Sequence, residues 1–204
     1  MYRFIPILLV CLTGCNIASK LVSKQELSEN YALMEGVRAT TPEMIDGNLR
    51  TVGEAALPEG AEGAFGMSPA TEALITLPEK KVISRMVIHS KNLKQFDVWA
   101  DKGNSDWVVL KEVKSTKTNP IVLSGLRAHF PTDRIRIRVL GTTDDAELRR
   151  RERARGGFQA VGFGYSRAPG KFYEIELYGY KSAEETEMKQ EEEEREQELD
   201  DLLK

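Results

Sequence analysis

In the stretch "TDRIRIRVLG", Ile135, Ile137 and Val139 alternate without a break against Arg134, Arg136 and Arg138. A strict apolar–charged period of two belongs to a half-buried strand, because successive side chains of an extended backbone leave on opposite faces. "FYEIELYGY" repeats the device and is expected to send Tyr173, Ile175 and Leu177 one way and Phe172, Glu174, Glu176 and Tyr178 the other. Further strand candidates are "ALMEGVRAT", "EALITLP", "KVISRMVIHS", "QFDVWAD", "DWVVLKEV" and "PIVLSG", several of them separated by turn clusters such as "DKGNSD" and "TKTNP". Eight strands with no strong helical period among them can bury their apolar faces only as two packed sheets. The expectation is an all-β chain forming an eight-stranded jelly-roll β-sandwich, with Trp99 and Trp107 in its core.

This core has to hold without covalent help. Of 204 residues only Cys11 and Cys15 are cysteines, and both lie in a leader-like segment. There Arg3 precedes the short apolar run "FIPILLVCL" and "LTGC" closes it. The run is too short for a bilayer span, which needs about 20 apolar residues, so a cleaved export signal over residues 1–14 is expected. "LTGC" resembles the bacterial lipobox, which implies lipidation of Cys15, a tether over 15–29 and anchoring to a membrane. Asn16 is not the aspartate that the resemblance associates with inner-membrane retention, so the outer membrane or cell surface is the expected location.

Two regions depart from the strand pattern. Residues 52–70 are a Gly/Ala/Pro-rich loop, long for a connection. "DDAELRRRERAR" reads as a short helix, with Asp144 or Asp145 as its cap and arginines toward its negative end. The glycine-aromatic loop "GGFQAVGFGYSRAPG" follows it. The domain is expected over 30–181. Residues 182–204 carry eleven Asp and Glu against three Lys and Arg, a balance of −8 that leaves +5 for the rest of the chain. They are rich in helix formers and poor in apolar residues, so a solvated acidic helix is expected there. The alternative is a helix that docks a protein partner through "LDDLL".

Taken in order, "NYALMEGVRATTPEMIDGNLRT", "LITLPEKKVISRMVIHS", "FDVWADKGNSDWVVL", "RIRIRVLG" and "YEIELYG" resemble the discoidin domain, the factor V/VIII C-type fold. That fold lies within the galactose-binding-like group, which includes family 32 carbohydrate-binding modules. The resemblance runs from about Asn30 to Tyr180 and implies a structural calcium ion where a turn before the second strand meets the last strand. Its ligand pattern falls on Asp46, Asn48, Thr51 and Glu174, with backbone carbonyls near Glu43 and Tyr173 completing the shell. The residue chemistry agrees, since calcium accepts six to eight oxygens from carboxylates, carbonyls and hydroxyls. The other reading of "DGN" is a turn in which Asp46 and Asn48 bond only their own backbone.

Sugar-binding members of the group often carry a His and a Trp just after that threonine. Val52, Gly53 and Glu54 stand here instead. His89 and Asn92 lie near where the resemblance expects an Arg and an Asn. The arginines of the helix, with Arg149 and Arg151 foremost, and Phe163 and Tyr165 beyond it make a second ligand-contact group, suited to anionic or stacking partners. Its alternative is a solvated helix. His129 reads as a loop residue. No nucleophile elbow, HExxH, CxxC or phosphate-binding glycine loop is present, so no enzyme is expected. The expected function is a non-catalytic, membrane-anchored lipoprotein binding carbohydrate or an anionic glycan. The alternative from another class is an assembly module that recruits a protein partner and binds no sugar. Nucleic acid is not an expected partner of an exported chain.

Overall fold

The computed structural model describes residues 26–58, 70–126, 129–156 and 167–181, together with 195 and 199. The leader, Cys15, most of the tether, Phe163, Tyr165 and nearly all of the acidic tail lie outside the described residues. Contacts divide the chain into two units, Leu27–Tyr180 and a second made of Met1–Glu26 with Lys181–Lys204.

Leu27–Tyr180 is a two-sheet antiparallel sandwich. Its strands are β1 (Arg38–Ala39), β2 (Gly53–Glu54), β3 (Thr71–Lys81), β4 (Arg85–Ser90), β5 (Leu93–Asp101), β6 (Trp107–Val113), β7 (Ile121–Ser124), β8 (Thr132–Thr142) and β9 (Lys171–Tyr178). One sheet runs β1-β3-β8-β5-β6 and the other β2-β9-β4-β7. All eight expected strands are present, although "ALMEGVRAT" is reduced to the two-residue β1 preceded by a 3-10 turn, Tyr31–Leu33. A ninth, β2, lies where only loop was expected. At two residues it has no alternation to read.

The alternation in β8 reports its faces faithfully. Ile135, Ile137 and Val139 are buried, and they pack with Ile75, Phe96, Val98, Ile88 and Leu177 from both sheets. In β9 the faces differ from expectation. His89 of β4 pairs with Glu174 and the next residue, Ser90, with Phe172, so Tyr173 is an extra residue in the ladder. This β-bulge changes the parity of the strand. Phe172 is fully buried with Ile175 and Leu177, and Tyr173 is half-buried.

The tryptophans also depart from expectation. Val98 and Ala100 are the fully buried pair around Trp99, so Trp99 must leave on the outer face of its sheet. There it stands opposite Arg136 of β8. The Arg136 guanidinium carbon lies 5.5 Å from the Trp99 ring centre and 4.3 Å from that of Trp107, while Arg134 lies 5.0 Å from Trp107. The rings cover the arginine ladder instead of filling the core, a cation–π arrangement. Asp101 pairs with Arg134 at 3.1 Å, and Glu72 lies 3.6 Å from Arg136.

Candidate functional site

Two places on the sandwich gather chemistry. The first is the turn that follows the 3-10 turn Pro42–Met44. Met44 is fully buried, which pins the chain there, and Gly53 lets β2 pass close beside it. A Cβ on Gly53 would collide with the Thr41 hydroxyl and the Met44 side chain. Gly47 takes a left-handed φ of +72°, which favours glycine. Its N–H then donates to Glu174 Oε2 at 2.9 Å, joining the turn to β9.

Within the turn, Asp46 Oδ1 accepts from the Asn48 N–H at 2.8 Å and Asn48 Oδ1 from the Arg50 N–H at 3.1 Å. Thr51 Oγ1 is 2.7 Å from both Asp46 Oδ2 and the Asn48 carbonyl. The turn raised by "DGN" as the other reading is therefore present. The side chains bond within their own turn, and through the Gly47 N–H the turn's backbone meets Glu174. That residue is only 3% exposed, and its Oε1 is buried with no hydrogen-bond partner among the described residues. Burial pushes its carboxyl up to about 7; the Gly47 N–H works against the rise and the Asp46 charge adds to it. A buried carboxylate with an unused oxygen beside a second carboxylate fits a hard cation. The turn containing Glu43 packs on β9, and Tyr173 is the bulged residue, so the backbone donors named by the resemblance belong to the elements that meet here. Among the described residues no group of three or more His, Cys, Asp or Glu could hold a metal ion. Any cation here would depend on carbonyl and hydroxyl oxygens, as calcium does.

The second place is the end of the sandwich where β8 leads into α1 (Asp145–Gly156). This helix has little apolar surface, and two side chains hold it. Asp145 is buried and accepts from the Thr142 N–H, the Thr142 hydroxyl and the Ala168 N–H, each at 2.9 Å. Asn92, 2% exposed, donates to Asp144 Oδ2 at 2.8 Å and to the Pro169 carbonyl at 3.0 Å, and accepts from the Lys171 N–H at 2.8 Å. The Asp144 carbonyl starts the helix by accepting from Leu148 N–H.

A cavity of about 340 Å³ opens between α1 and the start of β9. Leu148, Ala168 and Pro169 give it an apolar lining, and Asp144, Glu147, Arg151 and Lys171 its polar groups. Arg151 is held by Glu147 at 2.8 Å and Lys171 by Glu54 at 3.2 Å. A second cavity, of about 510 Å³, has Arg149 in its wall.

The expected ligand contacts are thus redistributed. Arg149 and Arg151 line different cavities, as two residues apart on a helix lie about 200° around its axis. Asn92 is a buried latch whose amide makes three hydrogen bonds to protein, which positions the walls, and it lines neither cavity. His89 lines neither cavity. It sits on the outer face of its sheet, its Nε2 2.9 Å from Glu176 Oε1, and Glu176 Oε2 accepts from the Tyr178 hydroxyl at 2.6 Å. Burial first, then that bond, pushes the Tyr178 hydroxyl up to about 12. His129 is an exposed loop residue. Asp144, Glu147 and Lys171 were missed as wall residues; they carry no motif and become visible only once α1 docks beside β9.

No protein-family model matches the chain, and no curated protein matches it by sequence. Solved structures do match. Chitosan-binding module 1 of a chitosanase/glucanase from Paenibacillus sp. IK-5 is 11% identical with a TM-score of 0.50, over 74% of this chain and 100% of the module. The CBM32-1 and CBM32-2 domains of Clostridium perfringens ZmpB, in complex with GalNAc, are 16% identical with a TM-score of 0.50, over 78% of this chain and 37% of theirs. Truncated AlyQ, which has CBM32 and alginate lyase domains, is 13% identical with a TM-score of 0.50, over 78% of this chain and 34% of its own. At these identities the likeness shows the fold alone, a jelly-roll β-sandwich like that of family 32 carbohydrate-binding modules.

Proposed function

We propose that this chain is a non-catalytic, membrane-anchored lipoprotein whose sandwich binds carbohydrate at the end carrying α1. Cys15 is the lipidated residue in this reading, and the outer membrane or cell surface is its location. The observation that carries the binding role is the cavity between α1 and β9. It combines an apolar lining for the C–H face of a sugar with Asp144, Glu147, Arg151 and Lys171 for its hydroxyls, the mix and size expected of a small-ligand site. The fold supports the same reading, since its likenesses include a chitosan-binding module and domains solved with GalNAc.

A structural calcium ion belongs to the proposal. Asp46, Asn48, Thr51 and Glu174 would hold it, with carbonyls near Glu43 and Tyr173. It would supply the positive charge that the unused Glu174 oxygen lacks. The test is a glycan and polysaccharide screen with the full chain in calcium. Reproducible binding that falls at least about tenfold in Arg151→Ala is expected, the size of a lost charged hydrogen bond. Binding to no glycan by the folded chain would refute the reading.

A further inference from the structure

We propose that the cavity between α1 and β9 selects a glucosamine-type residue, a sugar whose amine is unsubstituted and protonated, through the free oxygen of Asp144. The inference rests on the carbohydrate reading above and names its ligand class. A site recognises charge with whatever its internal contacts leave unused, and the charged groups of this wall are not left alike. Both cations are answered by protein carboxylates, Arg151 by Glu147 at 2.8 Å and Lys171 by Glu54 at 3.2 Å. Glu147 is answered twice, since Arg150 also reaches it at 2.7 Å.

Asp144 is the remaining charged group of the wall, and among the described residues its side chain has neutral partners only. Oδ2 accepts from the Asn92 amide at 2.8 Å. Oδ1 has just the Thr143 hydroxyl at 3.4 Å, well beyond the usual O–H···O range of about 2.5–3.0 Å. A carboxylate placed immediately before a helix is ordinarily spent on capping it, by accepting from the first-turn N–H groups. Among the described residues the Asp144 side chain accepts from none of them; its main-chain carbonyl serves the helix instead, through the Leu148 N–H. The positive end of α1 steadies the carboxylate without occupying that oxygen.

The group is also held in place. Asn92, 2% exposed, joins the Asp144 carboxylate, the Pro169 carbonyl and the Lys171 N–H through one amide. The carboxylate is thereby set against the apolar lining and the start of β9, and it has little side-chain freedom left to lose when a ligand arrives. One free carboxylate oxygen is too few for calcium, which takes six to eight oxygens. A sugar hydroxyl would meet it as a neutral donor. A sugar ammonium would meet it with charge as well, and such charge-assisted bonds are about twice as strong. A glucosamine residue presents its ammonium at the edge of the ring while its C–H face can rest on Leu148, Ala168 and Pro169, so a single sugar uses both halves of the wall.

The test is titration calorimetry with the full chain and three β-linked trisaccharides that differ only at the second ring carbon. They are chitotriose with its ammonium, the fully N-acetylated chitotriose, and cellotriose with its hydroxyl, in a mildly acidic buffer that keeps the amine protonated. Chitotriose is expected to bind about tenfold tighter than either neutral sugar. Asp144→Asn removes the charge but keeps an oxygen for Asn92, so the latch is retained and the ratio is expected to fall to about one. Glu35→Gln, at an exposed carboxylate before β1, is the control for adsorption of a cationic sugar to surface acids and is expected to change nothing. Equal binding of the three sugars, an undiminished preference in Asp144→Asn, or the same loss in Glu35→Gln would each overturn the proposal and leave the carbohydrate reading standing. Binding to other glycans and to none of these three would do the same. Binding to no glycan at all would take down both.

Discussion

Glu174 is a carboxyl held at about 7 by burial, and its titration has a definite sign. Its folded-state value lies above the ordinary 4.5, so the protonated form is favoured by folding. The stability this contributes is fully present below about pH 4.5 and is lost as pH rises through about 7, an effect on the order of 3 kcal/mol. In chelator, the melting temperature of the wild type is therefore expected to fall between pH 5 and 8, while Glu174→Gln, neutral throughout, stays level over that window. Parallel profiles would show that the carboxylate is compensated without a cation. The turn around it was legible from "IDGNLRT" because Gly47 and its oxygen-bearing neighbours are contiguous. The buried, unused Oε1 was not, since it depends on the bulge at Tyr173, and that bulge is set by pairing with β4 and not by any residue pattern within β9. Trp99 shows the opposite case: its parity with Val98 and Ala100 was readable, and ring size was the misleading signal.

At the scale of elements, α1 is a helix held by its ends' neighbours and not by an apolar stripe. Its position was readable from "DDAELRRRERAR", with an acidic first turn and Arg150 and Arg151 paired to Glu147 at 2.7 and 2.8 Å. Its docking was not readable, because the latch at Asn92 and the brace at Asp145 reach partners distant in sequence. Asn92→Ala leaves the Lys171 N–H and the Pro169 carbonyl without this partner and is expected to cost about 1–3 kcal/mol. Hydrogen exchange should show α1 and the start of β9 losing protection together while β3 and β8 keep theirs. Uniform loss across both sheets would mean that Asn92 supports the whole sandwich and not one end. The same scale holds the link from turn to sheet. Gly53→Ala forces a Cβ against Thr41 and Met44 and is expected to cost about 1–3 kcal/mol by overpacking, measurable by denaturant unfolding.

For the sandwich as a whole, β9 is the strand on which both ends of the fold converge. It pairs with β2 and β4. The N-terminal segment is stitched to its C-terminal half, with Leu177 N–H donating to Asn30 Oδ1 at 2.9 Å and Ser28 N–H to the Gly179 carbonyl at 3.0 Å just beyond the strand. Glu174 ties the same strand to the turn at Gly47. With no cysteine between Asn16 and Lys204, a cation at this junction would take the part of a cross-link, joining segments far apart in sequence. Anything that binds only the folded state raises stability by mass action, about 2.7 kcal/mol at a hundred times the dissociation constant. For a domain of this size that corresponds to a rise of about 5–10 °C in melting temperature when calcium replaces chelator. The rise should vanish in Glu174→Gln and persist in Asn92→Ala, which damages the opposite role, the positioning of α1. An equal rise in all three proteins would place calcium elsewhere, and no rise in the wild type would leave the junction to the Gly47–Glu174 hydrogen bond alone.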